Sequence, residues 1–149
     1  MANEFLIPGY PMIWLARNTG QPATSAVTLA YQNDAGPLYL AVADTNIGRI
    51  PGKAMKGTCW YSINGKEEET AAFWWICASS QLKLYRGDFP RGPLASGYQH
   101  DGSGLYYSVV ADTSYGTIPG KICASSRLCS YPYGGKEHTT DNFSYVIFV

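Results

Sequence analysis

The chain has 149 residues, and its 11 Lys and Arg balance 11 Asp and Glu, so the formal net charge is zero. This length suits one compact domain or two very small ones. A neutral balance excludes the strong basic field that would steer a protein onto nucleic acid or anionic lipid. Twelve Tyr, four Trp, sixteen Gly and nine Pro favour strands and frequent turns over long helices. The composition therefore predicts an all-β protein.

The N-terminal residues and the cysteines bear on location and on metal binding. No apolar run is long enough to cross a bilayer, and residues 1–5 lack the charged and long apolar regions of a signal peptide. We therefore expect a cytoplasmic protein, with leaderless export and peripheral attachment to a surface as alternatives. The cysteine spacing matches no zinc pattern, so we expect no metal, no cofactor and buried free thiols at Cys59, Cys77, Cys123 and Cys129.

The first half of the chain alternates strand and turn signals. An extended arm over residues 1–20 opens it, and alternating apolar residues from Leu38 to Val42 predict a strand. A turn around Asn46 to Gly48 follows. Pro51-Gly52 then predicts a second turn that presents Lys53 to solvent.

The rest of this half is expected to form a hairpin and a closing strand. Residues Cys59 to Ile63 predict a strand, and Asn64-Gly65 is a hairpin turn signal. The segment from Asn64 to Ala72 shows no convincing amphipathic helix, so we expect it to be a hairpin arm. The aromatic run from Phe73 to Ile76 predicts the last strand.

The same order of signals returns in the second half, which indicates an internal duplication. The matched segments are Leu38-Tyr39 with Leu105-Tyr106, Ile50-Pro51-Gly52-Lys53 with Ile118-Pro119-Gly120-Lys121, and Gly65-Lys66-Glu67 with Gly135-Lys136-Glu137. Cys59 and Cys129 also align, and the second copy carries one extra residue that we place inside its strand. We therefore predict two antiparallel β repeats, residues 1–80 and 81–149, packed together about a pseudo-twofold axis. Swapped terminal strands are an alternative arrangement.

The sequence carries no recognisable catalytic motif. It has no GxSxG nucleophile turn, no HExxH, no phosphate-binding loop and no GxGxxG after a strand. His100 and His138 lie outside any nucleophile or metal pattern, so we expect a protein that is not an enzyme. An enzyme built on a carboxylate pair alone is the alternative, because such pairs leave no sequence signature.

Polar residues recur on the predicted turns and form the candidate ligand site. They are Gln32, Asp34, Arg49 and Lys53 in the first copy, and Gln99, Asp101, Thr117 and Lys121 in the second. A purely structural interpretation is that each aspartate caps a turn and each lysine is solvated. The lysines argue against it, since each follows Pro-Gly at matched positions of two copies that differ elsewhere.

A cation beside an amide or a carboxylate can bind adjacent hydroxyl groups of a sugar. The ammonium donates to sugar oxygens, while the carbonyl or carboxylate oxygen accepts from the hydroxyls. Tyr39, Tyr106 and Tyr115 are candidates to pack against an apolar ring face. A single site of this kind binds with a Kd on the order of millimolar. Two sites on one body, doubled again by dimerisation, would give avidity.

The matched turns resemble those of the DM-nine repeat family, whose invertebrate members often carry two tandem copies. The resemblance runs from about residue 13 to residue 149. Its most specific segments are Asp101-Gly102 with Leu105-Tyr106, Gly116 to Lys121, and Tyr133 to His138. It implies an antiparallel β architecture with pseudo-twofold halves, often assembled as a homodimer. Characterised members are mannose-binding lectins, and others are immune or parasite-responsive proteins.

The resemblance also implies which residues hold the sugar. In the mannose-binding members, the lysine after Pro-Gly and two acidic residues bind the mannose hydroxyls. The acidic positions are occupied here by Gln32 and Gln99, and by Arg49 and Thr117. An amide lacks the charge-assisted strength of a carboxylate, and Arg49 could reach an anionic ligand. We expect a lectin for mannose-containing glycans with one site per repeat. A non-catalytic scaffold that self-associates or associates with membranes is the alternative.

Overall fold

A computed structural model of the chain describes residues 4–7, 9–79 and 81–148. Within these ranges the chain forms β-strands and turns only, which confirms the all-β prediction, and it contains no helix long and apolar enough to cross a membrane. The strands are β1 (Glu4–Ile7), β2 (Tyr10–Arg17), β3 (Thr28–Gln32), β4 (Gly36–Thr45), β5 (Gly48–Met55), β6 (Thr58–Ile63), β7 (Lys66–Thr70), β8 (Phe73–Ala78), β9 (Leu82–Tyr85), β10 (Ala95–Gln99), β11 (Leu105–Thr113), β12 (Gly116–Ile122), β13 (Cys129–Tyr133), β14 (Lys136–Thr140) and β15 (Phe143–Phe148).

The duplication is visible in the order of strand pairing. Strands β3 to β8 recur as β10 to β15, and the arm strand β2 corresponds to β9. Each arm pairs with the closing strand of its own half, β2 with β8 and β9 with β15. The terminal arms therefore stay within their halves.

The two halves are joined by two strands, each of which pairs with both halves. Strand β3 pairs with β12 of the other half through Gln32 and Gly116, and β10 pairs with β5 through Gln99 and Gly48. Together with the hairpins β4–β5 and β11–β12, these pairings close a ring of strands in the order β3, β4, β5, β10, β11, β12. Hydrogen bonds thus run across the two predicted repeats, and each half completes the sheet of the other.

The Pro-Gly steps lie inside strands, so the prediction that they form turns is wrong. Strand β5 contains Pro51 and Gly52 and pairs with β4 from Gly48 to Ala54. Its other side changes partner, from β10 at Gly48 and Arg49 to β6 from Lys53 onwards. Proline has no N–H to donate, which suits a strand position between two partners.

The glycines of these steps are required by a close approach of neighbouring strands. A Cβ atom at Gly52 would lie 2.2 Å from the carbonyl oxygen of Trp60, and one at Gly120 would lie 2.2 Å from that of Ser130. Both separations are far inside van der Waals contact, so a larger residue would displace β6 or β13. The recurrence of Pro-Gly therefore has a structural cause in the strand contact itself.

Two further expectations concern the hairpin and the cysteines. Asn64 and Gly65 have φ angles of 52° and 83° and join β6 to β7 in the predicted hairpin, because Asn and Gly tolerate positive φ. The thiols are free, and all are buried except that of Cys123. Burial raises the pKa of the Cys129 thiol to about 12, so it behaves as a small apolar core group.

Candidate functional site

The two recurring lysines are buried, which corrects the expectation of solvated turn residues. Lys53 is 4% exposed and Lys121 is 6% exposed. Both lie within strands, where Lys53 pairs with Leu40 and Lys121 pairs with Ser108. A buried ammonium needs a charged partner, because desolvation without one costs several kcal/mol.

Each lysine has a glutamate partner from the Gly-Lys-Glu segment of its own half. The Nζ atom of Lys53 lies 3.4 Å from Oε2 of Glu67, and that of Lys121 lies 3.3 Å from Oε2 of Glu137. The second oxygen of each glutamate accepts a hydrogen bond from the hairpin of the other half. The N–H of Gly135 donates to Glu67 at 2.9 Å, and the N–H of Gly65 donates to Glu137 at 3.1 Å.

These lysine–glutamate pairs tie the hairpins β6–β7 and β13–β14 together. Backbone bonds add to the contact, since the N–H of Glu67 donates to the carbonyl of Gly135 at 3.1 Å and the N–H of Glu137 donates to that of Gly65 at 3.0 Å. The arrangement is reciprocal, as the pseudo-twofold relation requires. It accounts in structural terms for the repetition of both Pro-Gly-Lys and Gly-Lys-Glu.

Burial and charge set the ionisation of these groups. Burial lowers the pKa of Lys53, against the opposing effect of the Glu67 carboxylate, and it lowers the pKa of Lys121 against that of Glu137. Burial on its own would raise the pKa of Glu137. The hydrogen bond from Gly65 and the ammonium of Lys121 outweigh this effect and hold the Glu137 pKa below its usual value. Glu137 is therefore ionised at neutral pH.

A cavity opens beside Lys53, which we call the Lys53 cavity. Its volume is about 340 Å³, and it is lined by Gln32, Asp34, Ala35, Leu38, Lys53, Met55, Trp60, Glu67, Tyr133 and Gly134. The Oε1 atom of Gln32 accepts a hydrogen bond from the Lys53 ammonium at 2.8 Å, and its Nε2 donates to Oδ1 of Asp34 at 2.6 Å. The amide thus links a buried cation to an exposed carboxylate. Its hydrogen bond to Asp34 is the largest cause of the lowered pKa of that carboxyl group.

One wall of the Lys53 cavity is aromatic and comes from the other half of the chain. The ring of Tyr133 lies 5.2 Å from Nζ of Lys53, and its hydroxyl donates to Oδ2 of Asp34 at 3.2 Å. Tyr115 stacks on Tyr133 with ring centroids 3.9 Å apart. The cavity therefore combines residues of both repeats, and Tyr115 acts behind the wall rather than on its surface.

The equivalent position in the second half, the Lys121 cluster, is arranged differently. The Lys121 ammonium donates to the carbonyl of Ser62 and lies 5.1 Å from the centre of the Tyr106 ring. Gln99 does not bond to this lysine. Its Nε2 donates instead to the hydroxyl of Tyr106 at 2.7 Å, and its Oε1 accepts from Ser103 at 2.5 Å.

The predicted aspartates also differ. Asp101 accepts a hydrogen bond from the N–H of Ser103 at 2.9 Å, which makes it a turn cap. Asp34 has no such bond to the backbone two residues on, and its carboxylate faces Gln32 and Tyr133. The structural interpretation therefore fits Asp101, whereas Asp34 lines the cavity.

Arg49 and Thr117 lie outside both lysine sites, so their placement with the lysines needs correction. The Arg49 guanidinium packs 4.6 Å from the Trp74 ring centre and 5.4 Å from that of Tyr98. Thr117 accepts a hydrogen bond from the N–H of Tyr31 at 2.8 Å. Each lies four positions before its lysine in an extended strand, a distance of about 13 Å at 3.3 Å per residue. No cluster of three metal-ligating side chains occurs in the described ranges of the chain.

Seven of the residues that line the Lys53 cavity are missing from the set predicted by sequence, and Trp60, Glu67 and Tyr133 are the ones that bear on binding. Glu67 had a usable signal, because Gly-Lys-Glu recurs in both copies. The counterpart of Trp60 is Ser130, which pairs with Lys121 as Trp60 pairs with Lys53. The counterpart of Tyr133 is Ile63, which pairs with Lys66 at the same place in its hairpin. A comparison of the copies for shared residues could therefore not find them.

Comparison with known proteins bears on the family and on the fold. The family model of the DM9 (DM-nine) repeat matches residues 50–140 of the 149-residue chain. The chain belongs to the DM9 repeat family. No curated protein matches this DM9 chain.

A solved structure has the same fold. The crystal structure of the nematode sperm cell motility protein MFP2B matches with a TM-score of 0.63 and 14% sequence identity. The match covers 90% of this chain and 45% of the MFP2B chain, so the chain spans less than half the length of that protein. At this identity the likeness concerns the fold alone, and it supports the all-β architecture.

Proposed function

We propose that this DM9 chain is a non-catalytic carbohydrate-binding protein that binds one sugar residue of a mannose-type glycan in the Lys53 cavity. The observation that carries the proposal is the linked row of Lys53, Gln32 and Asp34 beside the Tyr133 ring. Such a row offers both donors and acceptors within one concave surface. Concave sites with few polar groups and an apolar wall are the usual form of small-ligand sites.

The polar row fits vicinal hydroxyl groups. A sugar hydroxyl both donates and accepts, so it can give its proton to the Asp34 carboxylate and accept one from the Lys53 ammonium. Gln32 lies between these groups and can do either through its amide. Bonds to charged groups are about twice as strong as neutral ones, which favours a ligand that reaches both ends of the row.

The aromatic wall fits the other face of the sugar. Tyr133 and Trp60 both line the cavity, and their rings offer apolar area to the C–H groups of a pyranose. Tyr133 is held in place by its stack on Tyr115 and by the bond to Asp34, so little conformational entropy is lost on binding. A ligand with hydroxyls on one side and C–H groups on the other satisfies both walls.

The family resemblance supports this class of ligand. The resemblance implies that mannose-binding DM9 repeats bind the sugar through the lysine after Pro-Gly together with acidic residues. In this chain Gln32 occupies one of the positions that are acidic in those repeats. In this chain Asp34 offers a carboxylate at the far side of that amide, with its Oδ1 atom 2.6 Å from Nε2 of Gln32. We expect the exchange to weaken the binding of one sugar residue, to a Kd on the order of millimolar.

The test compares two aspartates at matched positions of the repeats. We expect Asp34→Ala to weaken binding of methyl α-mannoside by at least about tenfold, since one charge-assisted bond contributes roughly 1.5–3 kcal/mol. Asp101→Ala is the control, because this residue caps a turn at the same position of the other half. Both residues are exposed, so neither variant should shift the melting temperature much.

A glycan array with the unmodified protein comes before the titration. Binding to mannose-containing glycans that Asp34→Ala loses and Asp101→Ala keeps would support the proposal. An array without any signal, or equal losses in the two variants, would contradict it. The lysines are unsuited to this test because both are buried and paired with glutamates.

A second candidate function, self-association, follows from the outer edge of the sheet. Strand β9 ends the strand order and, among the strands of the described residues, pairs with β15 alone. It exposes Leu84 and Tyr85 at 37% and 38%, and Phe148 of β15 is 39% exposed beside them. An apolar edge strand invites pairing with another chain. Light scattering on Leu84→Lys tests it, and a homodimer that this variant disrupts would favour a scaffold role.

A further inference from the structure

We infer that, of the two repeated lysine positions, the Lys53 cavity is an open sugar site and the equivalent site at Lys121 is closed by Tyr106. This inference rests on the proposed function of the Lys53 cavity, and it changes the expectation of one site per repeat. It follows from comparing equivalent positions of the two halves in the strand register.

The strand register places Tyr106 where the first half has Leu38. Lys53 pairs with Leu40, and Lys121 pairs with Ser108, so the residues two positions earlier correspond. The pairing with the neighbouring strands supports this correspondence, since Leu38 pairs with β3 and Tyr106 pairs with β10 at equivalent positions of the two halves. The extra residue of the second copy therefore lies in the turn between β10 and β11, and not inside the strand as predicted.

The exchange of leucine for tyrosine changes what each lysine faces. Leu38 lines the Lys53 cavity and is almost fully buried, which leaves the Gln32 amide in direct contact with the ammonium at 2.8 Å. In the second half the Tyr106 ring lies beside Lys121 and its hydroxyl accepts from Gln99. The phenol thus stands between the amide and the ammonium, which are in direct contact in the first half.

Tyr106 is firmly held in this place. Its side chain is only 8% exposed, and Gln99 is fixed in turn by its bond from Ser103 at 2.5 Å. The Lys121 ammonium is occupied by Glu137 and by the carbonyl of Ser62. Opening the site would break the tyrosine–amide bond and expose a large ring, so a weakly bound sugar could not supply the free energy.

The residues that form the wall also make the Lys121 cluster less suited to a sugar than the Lys53 cavity. The aromatic wall of the Lys53 cavity, Trp60 and Tyr133, is replaced at the Lys121 cluster by Ser130 and Ile63. The second site thus lacks the two wall rings that offer apolar surface to a sugar face in the first site. Avidity then comes from association of chains, and not from two sites within one chain.

The side-chain amides of Gln32 and Gln99 report on the two sites separately. We would titrate methyl α-mannoside into 15N-labelled full-length protein and follow both NH₂ groups. In the wild type we expect the Gln32 signals to shift in a saturable way and the Gln99 signals to stay unchanged. Tyr106→Phe keeps the ring and is the matched control, and it should behave like the wild type at Gln99.

Tyr106→Leu should open the second site and make the Gln99 signals shift as well. Its affinity should be roughly tenfold below that of the Lys53 cavity, because the aromatic wall is missing. Leu38→Tyr is the reverse exchange and should abolish the Gln32 shift. It also carries the test if Tyr106→Leu fails to fold, which far-UV circular dichroism would show.

The outcomes separate this inference from the proposed function. Saturable shifts of both amides in the wild type, or a silent Gln99 in folded Tyr106→Leu, would overturn the inference and leave the sugar site standing. No shift of either amide in the wild type, together with an array that shows no signal, would overturn the proposed function and this inference with it. A wild-type response at Gln32 alone, extended to Gln99 by Tyr106→Leu, would support both.

Discussion

The Lys53 cavity and the Lys121 cluster share a backbone and an ion pair but differ in the side chains around them. Both lysines follow Pro-Gly inside a strand, and both pair with a glutamate that reaches the hairpin of the other half. Around the first lysine there is a cavity of about 340 Å³. Around the second, Tyr106 fills the equivalent place.

This difference separates residues that recur for the fold from residues that determine binding. The repeated lysines and glutamates join the halves, so duplication preserves them whether or not a site binds a ligand. The residues that differ between the halves, such as Leu38 against Tyr106, decide whether a cavity is open. Recurrence by itself is therefore weak evidence for a ligand site in this protein.

The largest expected effect is on stability, and it should be equal at the two lysines. Lys53→Ala and Lys121→Ala should each lower the free energy of unfolding by about 3 kcal/mol, because each leaves a glutamate without its partner in a buried pair. Urea unfolding measures the loss. Lys83→Ala is the control, since Lys83 is exposed on β9 and should change stability by less than about 0.5 kcal/mol.

A lysine variant with the unfolding midpoint of the wild type would contradict the view that both lysines join the halves. It would show that the ion pair at that site contributes nothing to holding the hairpins together. A clearly smaller loss in Lys53→Ala than in Lys121→Ala would contradict the expected equality, and would show that the open cavity lets water compensate the glutamate left in Lys53→Ala.

Local signals in the sequence predicted much of the fold. The hairpin at Asn64-Gly65 was predicted because two adjacent residues with positive φ suit only a tight turn. The duplication itself predicted two related antiparallel halves. The pairing of β3 and β10 with strands of the other half had no local signal, because strand pairing over such a distance depends on the whole sheet.

Tertiary packing overruled local propensity at the candidate site. Pro51-Gly52 has the composition of a turn, but the strand contact with Trp60 places it within β5 and buries Lys53. Gln32 and Asp34 were found from their position next to a turn. Tyr133 was not, since it belongs to the other repeat and differs from its counterpart Ile63.

The next effect concerns pH and the Glu137 pair. The folded-state pKa of Glu137 lies below the usual 4.5, so its contribution to stability is present above that value and is lost as the pH falls through the folded-state pKa. Glu137→Gln should lower the free energy of unfolding by about 2 kcal/mol at pH 7, a value typical of a hydrogen bond to a charged group. The difference from the wild type should shrink below pH 4.5.

Urea unfolding at a series of pH values measures this difference directly. Lys66→Gln is the control, because this exposed residue should give the same small difference at each pH. A loss for Glu137→Gln that does not change with acid would contradict the assignment of Glu137 as the ionised partner of Lys121.

The smallest expected effect separates the residues around the lysines from those that lie elsewhere. Thr117 accepts a hydrogen bond from the N–H of Tyr31 across the junction of β12 and β3, and it is not among the residues of the Lys53 cavity. Thr117→Val keeps the β-branched shape and removes the acceptor, so it should cost about 1 kcal/mol of stability. Mannoside affinity should be unchanged in the titration that follows the Gln32 amide. A weaker affinity in a folded Thr117→Val would mean that this position reaches the sugar after all, and that the binding site extends from the cavity along β12.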